Sequence, residues 1–286
     1  MNSEFRPKLA PTRKPLTYLA KVQTFIRQFI VKDSLKPHTT VLIGSILQLV
    51  LSTTLPFRWA VVPSAVVLLN SIITTILQVR SPKPNEYTAD TVPGRATAQL
   101  PFRDGTFGNK PGASPVVVFN LGVQSNHPLG VAAPHFDKVG NYFRALHNDL
   151  TARRDELGML SYSNWRGDER SSNNTLLLTY YFRDVESLNR FAHEELHRKA
   201  WDWINKEKPA HIGIFHETFC VPAHAYETIY LDCHPVLMGR ATVKTKGEEE
   251  TWMNSLVSAD VPALKTQWAR LSRDPKGNPR ENRRER

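Results

Sequence analysis

Two kinds of apolar patterning divide this chain. Thr39–Leu55 and Trp59–Val79 are near-continuous apolar runs with no internal charge, whereas from Pro115 onward apolar positions recur with strand or helix periods. As helices the two runs would be roughly 25 and 31 Å long, against a hydrocarbon core of roughly 30 Å. Pro56–Phe57–Arg58 separates them. An Arg at mid-bilayer costs roughly 2.5–3.5 kcal/mol, so Arg58 belongs at an interface, and residues 38–80 are predicted to form an N-terminal transmembrane helical hairpin. Gln48, Ser52, Thr53 and Thr54 weaken the first run. If that run lies flat in the interface, one span remains.

The soluble part reads as strand, helix, strand, strand, helix, strand. Val116–Gln124 is an apolar strand, and Val139, Phe143, Leu146 and Leu150 share one helical face. Leu160–Arg166 and Thr175–Phe182 are the next two strands. A helix capped by Asp184 runs to Pro209, with Leu188, Ala192, Leu196 and Trp203 on one side. The stretch His211–Cys233 closes the unit as two extended segments joined by a small polar turn. This order is the ferredoxin-like split βαβ arrangement, an α+β fold over residues 115–241. The first and third strands are apolar on both faces, so both faces of the sheet need cover. Two helices cover one, and a second copy of the chain is the simplest cover for the other, which predicts a homodimeric α+β barrel. Residues 81–114, rich in Pro and Gly, read as a linker. Glu248–Leu271 is predicted to be a helix anchored by Trp252, Leu256 and Trp268, within a C-terminal segment 242–286 that ends in a charged tail.

Composition changes this picture in one respect. The 286 residues carry a net charge of +10, with pI ≈ 9.7 and a mean hydropathy of -0.38. The surplus is placed beside the apolar block and in the tail after Arg270, with no Lys/Arg stripe interleaved with aromatics, so a membrane is favoured over nucleic acid as partner. Residues 1–37 form a basic cytoplasmic segment in which 18–32 could lie on a membrane as an amphipathic helix. Lys and Arg flank both ends of the apolar block, so the expectation is an endoplasmic-reticulum membrane protein with its catalytic domain facing the cytoplasm. A single span would instead face that domain to the lumen and expose the sequon Asn173–Asn174–Thr175. Cys220 and Cys233, too few for a disulfide framework, read as buried thiols.

The chemistry candidates lie mostly in the last strand pair. His216, Glu217, Tyr226 and Glu227 can move protons and stand among bulky apolar residues, the mixture a ligand pocket needs. His216 and Glu217 are adjacent, so a regular strand sends them to opposite faces; Asn164 and Trp165 pose the same question, and periodicity leaves open which face holds substrate. His193–His197 matches HExxH, with both imidazoles expected on one helical face, but the third ligand of the long zinc-protease form is missing. His197 and Trp201, one turn apart, make the more interesting pair. No GxGxxG, P-loop or GxSxG occurs, which removes support for nucleotide, phosphoryl-transfer and serine-hydrolase chemistry.

His216-Glu217-Thr218-Phe219-x-Val221, Tyr226-Glu227-x-Ile229-Tyr230 and Met238-Gly239 together resemble the fumagillin-pathway-type group of antibiotic-biosynthesis-monooxygenase-like proteins. VVVFNLGVQSNHP, SYSNWRG and His197-x-x-x-Trp201 fit the same pattern across about residues 115–241. The resemblance implies a dimeric α+β barrel, an N-terminal membrane segment as in fungal members, and oxygenation of a lipophilic natural product. It carries no settled catalytic set. Our own assignment is His216, His197, Glu217 and Tyr226 as catalytic candidates, with Trp165, Trp201, Asn164 and Phe215 as walls. Many relatives have a Gly and a Pro-Pro pair where this chain has Ala223–His224–Ala225 and Cys233–His234–Pro235. The expected activity is a membrane-anchored monooxygenase acting with O2 on a small terpenoid or polyketide, with no cofactor and no metal. The alternatives are a haem enzyme of the aldoxime-dehydratase type, with His193, His197 or His216 on iron, and a non-catalytic ligand-binding protein of a biosynthetic complex.

Overall fold

The computed structural model describes residues 5–15, 37–83, 85, 87–108, 110–167, 175–246 and 250–279, in two compact units. The expected surface helix at 18–32 and the Asn residues of the sequon lie outside the described residues.

One unit, Gln23–Thr91, contains α1 (Pro37–Thr54), the short α2 (Phe57–Ala60) and α3 (Val62–Arg80). Phe57–Arg80 is long and apolar enough to cross a membrane; the other apolar helix, His38–Thr54, is shorter. Almost every large apolar side chain on these helices is exposed, Val67, Leu77 and Val79 among them. Gln48 is satisfied inside the unit: its amide donates to the Ala60 carbonyl at 3.3 Å and accepts from Ser64 Oγ at 2.9 Å.

The other unit holds Met1–Val22 and Val92–Arg286. Its centre is a four-stranded antiparallel sheet made of β2 (Val116–Ser125), β3 (Met159–Gly167), β4 (Thr175–Phe182) and β5 (Ile212–Val221), in the order β3-β4-β2-β5. That is the ferredoxin-like topology, and the helices α4 (Phe136–Ala152), α5 (Val185–Ala192) and α6 (Glu195–Glu207) supply its crossovers. Asp184 caps α5 as expected, accepting from the Ser187 amide at 2.7 Å. Gly122 is held by close approach, not by backbone angle. The ring of its cross-strand partner Phe215 lies where a Cβ would sit, with the nearest ring atom 2.0 Å from that position.

Several expectations are corrected. The helix from Asp184 to Pro209 is two helices, broken at His193–Glu194. Glu194 takes extended backbone because Arg153, the residue that caps the end of α4, grips its carboxylate at 2.6 and 2.9 Å, and the His193 Nδ1–H turns back to the Asn189 carbonyl. The segment read as a linker contains β1 (Val92–Ala98), and the last extended segment shrinks to β6 (Tyr230–Cys233), which pairs with β1 instead of β5. The expected C-terminal helix is mostly strand: β7 (Thr242–Thr245) pairs with β8 (Thr251–Asn254), β9 (Leu256–Ser258) pairs with β1, and only α7 (Gln267–Arg270) is helical. Both cysteines are free and exposed, since β5 is an edge strand and β6 is short.

These additions provide part of the cover predicted to come from a second copy. Ala98, Leu100, Met238 and Ala241 pack on Val116 and Leu160. The 3-10 turn Leu237–Arg240 is tied down by Ser161, which donates to the Leu237 carbonyl, and Ser163, which accepts from its amide, each at 2.9 Å. The N-terminus also joins this unit: Phe5 is buried with Phe107, Val257 and Leu264, and Pro7 and Thr12 bridge to Val257 and Trp252. The expected separate basic segment 1–37 is therefore in part a structural strap.

Candidate active site

The β2–β5 ladder runs without a register shift and pairs Leu121 with His216 and Asn120 with Glu217. Alternation then sends Phe119, Leu121, Tyr180, Ile214 and His216 towards the helices, and Asn120, Thr179, Phe215 and Glu217 to the other face. Between the sheet and the helices lies a cavity of about 390 Å³. Its walls are apolar, with Phe119, Val139, Phe143, Leu188, Phe191 and Ile214 prominent. Such a chamber suits a drug-sized lipophilic molecule.

Of the eight residues singled out from the sequence, this cavity brings together three: His197, Trp201 and His216. Trp201, 52% exposed, and His216, exposed on the edge strand, stand where the cavity meets solvent. The His216 ring lies 5.6 Å from that of Phe119, and the His197 ring meets Phe191 edge-on at 6.1 Å. Burial holds the His197 pKa below its ordinary value against the opposing hydrogen bond to the Ala192 carbonyl, and positive charge on His193 or His216 would lower it further.

The other five lie elsewhere. Glu217, Phe215 and Trp165 are on the opposite face, and Asn164 is exposed at the end of edge strand β3 and does not line the cavity. Tyr226 is a core residue, its hydroxyl donating to the Ser114 carbonyl at 3.0 Å while burial raises its pKa. Glu227, the remaining proton-moving group, is bound to Arg270 at 2.7 Å in a largely buried ion pair. The HExxH reading fails on geometry, because the helix break separates His193 from His197. Among the described residues no three His, Cys, Asp or Glu side chains cluster as metal ligands.

What sequence reasoning missed is the polar pair at the other end of the chamber. His147 Nδ1 lies 3.0 Å from the Tyr180 hydroxyl, and the His147 ring meets Tyr162 edge-on at 4.3 Å. Thr151 gives its own proton to the His147 carbonyl at 2.7 Å and stands 3.5 Å from Nε2. This pattern assigns Nε2 as the protonated nitrogen and Nδ1 as acceptor from Tyr180. Burial, assisted by the positive charge of Arg240, pushes the His147 pKa down to about 4, so the ring is neutral at physiological pH. Burial also raises the Tyr180 and Tyr162 phenols. A signal existed: His147 is four residues after Phe143 and three before Leu150, on the predicted apolar face.

Residues 116–238 match the family model described as Monooxygenase af470-like. The chain is 46% identical over 277 residues to Monooxygenase af470 of Aspergillus fumigatus, a match that takes in 96% of this chain and 100% of that protein. Among solved structures it is similar to an aldoxime dehydratase bound to butyraldoxime, at a TM-score of 0.39 and 14% identity, over 51% of this chain and 39% of that one. It is also similar to SnoaB, a cofactor-independent oxygenase from Streptomyces nogalater, at a TM-score of 0.27 and 13% identity, over 37% of this chain and 92% of that one. Both structural likenesses are too distant to bear on chemistry.

Proposed function

The chain belongs to the monooxygenase af470-like family and is an enzyme of that class; from that premise we propose that it is membrane-anchored and oxidises a lipophilic terpenoid or polyketide held in the cavity between helices and sheet. The observation that carries this reading is the chamber itself: about 390 Å³, apolar-walled, with imidazoles from His197 and His216 at its lining and His147–Tyr180 closing the far side.

The chemistry needs no external reductant if the substrate offers an activated methylene. His216 or His197 takes one proton from it, and the carbanion reacts with O2. After protonation this gives a carbon-bound hydroperoxide. Loss of the second C–H proton breaks the O–O bond and expels hydroxide, which leaves as water. One oxygen atom ends in the new carbonyl and the other in water, so atoms and electrons balance. The lowered pKa of His197 keeps that ring neutral and able to accept a proton at neutral pH. The aromatic walls Phe119, Phe143 and Phe191 shield the carbanion from water on the enclosed side of the chamber.

Anchoring sets the enzyme beside the phase in which such substrates dissolve. Residues 5–15 and 92–279 belong to one compact unit, so the segment between them crosses a bilayer an even number of times or not at all. That supports the two-helix hairpin over a single span, and the internal bonding of Gln48 lowers the cost of taking α1 into lipid. With basic flanks, the catalytic unit then faces the cytoplasm. A homodimer, a second copy covering the open sheet face, completes the reading.

The test is to delete the gene in its source organism, identify the intermediate that accumulates, and supply it with 18O2 to the purified full chain. One labelled oxygen is expected in the product and one in water. Replacing His216 or His197 with Ala is expected to slow turnover by about 10²–10⁴-fold for whichever is the base. Full turnover in both variants would overturn the base assignment, unaltered substrate would leave a binding protein, and a Soret band in the purified chain would transfer the chemistry to haem.

A further inference from the structure

The helix long and apolar enough to cross a membrane, Phe57–Arg80, carries an amide close to its middle: Asn70, on α3. In the hydrocarbon core there is no water to bond with, so an amide that faces lipid there leaves an NH2 and a carbonyl unsatisfied. The other amides of α1 and α3 are spent. Gln48 donates to the Ala60 carbonyl and accepts from Ser64 Oγ, and Gln78 is engaged as well. Asn70 is exposed and makes no hydrogen bond among the described residues.

Its direction explains why. Ser64 is the α3 side chain that bonds to α1, at 2.9 Å from the Gln48 carbonyl oxygen. At about 100° per residue, Asn70 points about 120° around the axis from Ser64, away from the side that meets α1. The residues on either side continue its face. Val66, Asn70, Ile73 and Leu77 follow the alternating four- and three-residue spacing of a helix–helix seam, and all four are exposed. Exposure alone would decide nothing, because lipid tails cover apolar side chains all round a helix as well as protein does. The amide at the centre of the stripe is what lipid cannot satisfy.

We propose that Asn70 is the centre of a membrane-embedded seam through which α3 of one copy pairs in parallel with α3 of a second. This rests on the membrane-anchored reading above. Two copies inserted by the same rule share one orientation, so their two-fold axis stands along the membrane normal and every residue of α3 lies at the depth of its counterpart. Asn70 therefore meets Asn70. An Asn side chain is its own complement, since each NH2 donates to the other's carbonyl. Val66, Ile73 and Leu77 pack against their counterparts on either side of that bond. A lone Asn at such a position fixes register and partner number besides adding a bond, and neither water nor a lipid headgroup competes for it at mid-bilayer. The seam differs from the contact between open sheet faces, and it raises the effective concentration of one copy's sheet face at the other.

The test uses the full chain in phosphatidylcholine vesicles, with Cys220→Ser and Cys233→Ser removing the native thiols. Oxidation is expected to cross-link the Val66→Cys and Ile73→Cys chains and to leave Leu68→Cys and Ile72→Cys, on the opposite side of α3, as monomers. Asn70→Leu, which favours the helix, should weaken self-association by about 3- to 30-fold in energy-transfer measurements, and Asn70→Gln, which keeps the amide, should restore most of it. Cross-linking all round the helix, no cross-linking, self-association unchanged in Asn70→Leu, or Asn70→Gln as weak as Asn70→Leu would overturn the proposal. Carbonate extraction separates it from the reading it rests on. A chain released from membranes ends the anchored reading and the seam together, whereas a chain retained without seam cross-links ends the seam alone.

Discussion

The two faces of the four-stranded sheet are built from the same strands yet do different work. The helix-covered face encloses the chamber and collects His147, Tyr180, His197 and His216. The other face is covered at one end by the chain's own Ala98–Leu100 and Leu237–Ala241 segments and is open at the other, where Trp165, Phe215 and Phe219 are 40%, 40% and 49% exposed. The comparison teaches that apolar composition on both faces announces cover without saying what kind. On one side the cover is loose enough to leave a cavity; on the other it is partly this chain's own strands and, by our reading, a second copy.

The largest expected effect separates neighbours. His216→Ala should cost orders of magnitude in turnover if His216 is the base, while Glu217→Ala, one residue away on the opposite face, should leave turnover within about threefold; equal losses in both would break the assignment of the site to the helix-covered face. Next comes acid sensitivity. The folded-state pKa of His147 is depressed to about 4, so above about pH 6.5 its contribution to stability is fully present, and as pH falls through that window the unfolded chain binds the proton first. Up to about 3 kcal/mol should be lost between about pH 6.5 and 4, and His147→Gln should flatten that part of the denaturation profile. Gly122→Ala, which forces the Phe215 ring off its seat on the open face, should lower stability by about 1–3 kcal/mol in a denaturant titration. Smallest, Phe215→Glu with Phe219→Glu should weaken self-association at least tenfold in sedimentation without moving the chamber. A wild-type chain that is monomeric at high concentration would remove the second copy from the picture.

The legible part of the molecule was its local part. The order of the split βαβ unit, the cap at Asp184 and the divergence of His216 from Glu217 all follow from periods of two and 3.6 residues and from one capping side chain. The illegible part depended on distant partners. A seven-residue strand, Val92–Ala98, hides in a Pro- and Gly-rich stretch because β6 and β9, each remote in sequence, supply its ladder. Trp252 and Leu256 carry a helix-like spacing but extend because Lys244 pairs with Trp252 and Ala98 with Leu256. The helix break at Glu194 is decided by Arg153, at the C-terminal cap of another helix.

For the site, the sequence alone determined which residues could carry protons and, through alternation along β5, that His216 and Glu217 cannot share a pocket. Only the tertiary structure decided that the helix side holds the chamber, that Tyr226 and Glu227 are bound up in the core and in an ion pair, and that His147 is buried in that chamber and held neutral. The reason is physical: side-chain direction is set by the residue's own backbone, whereas burial, and with it proton affinity, is set by whatever the rest of the chain brings alongside.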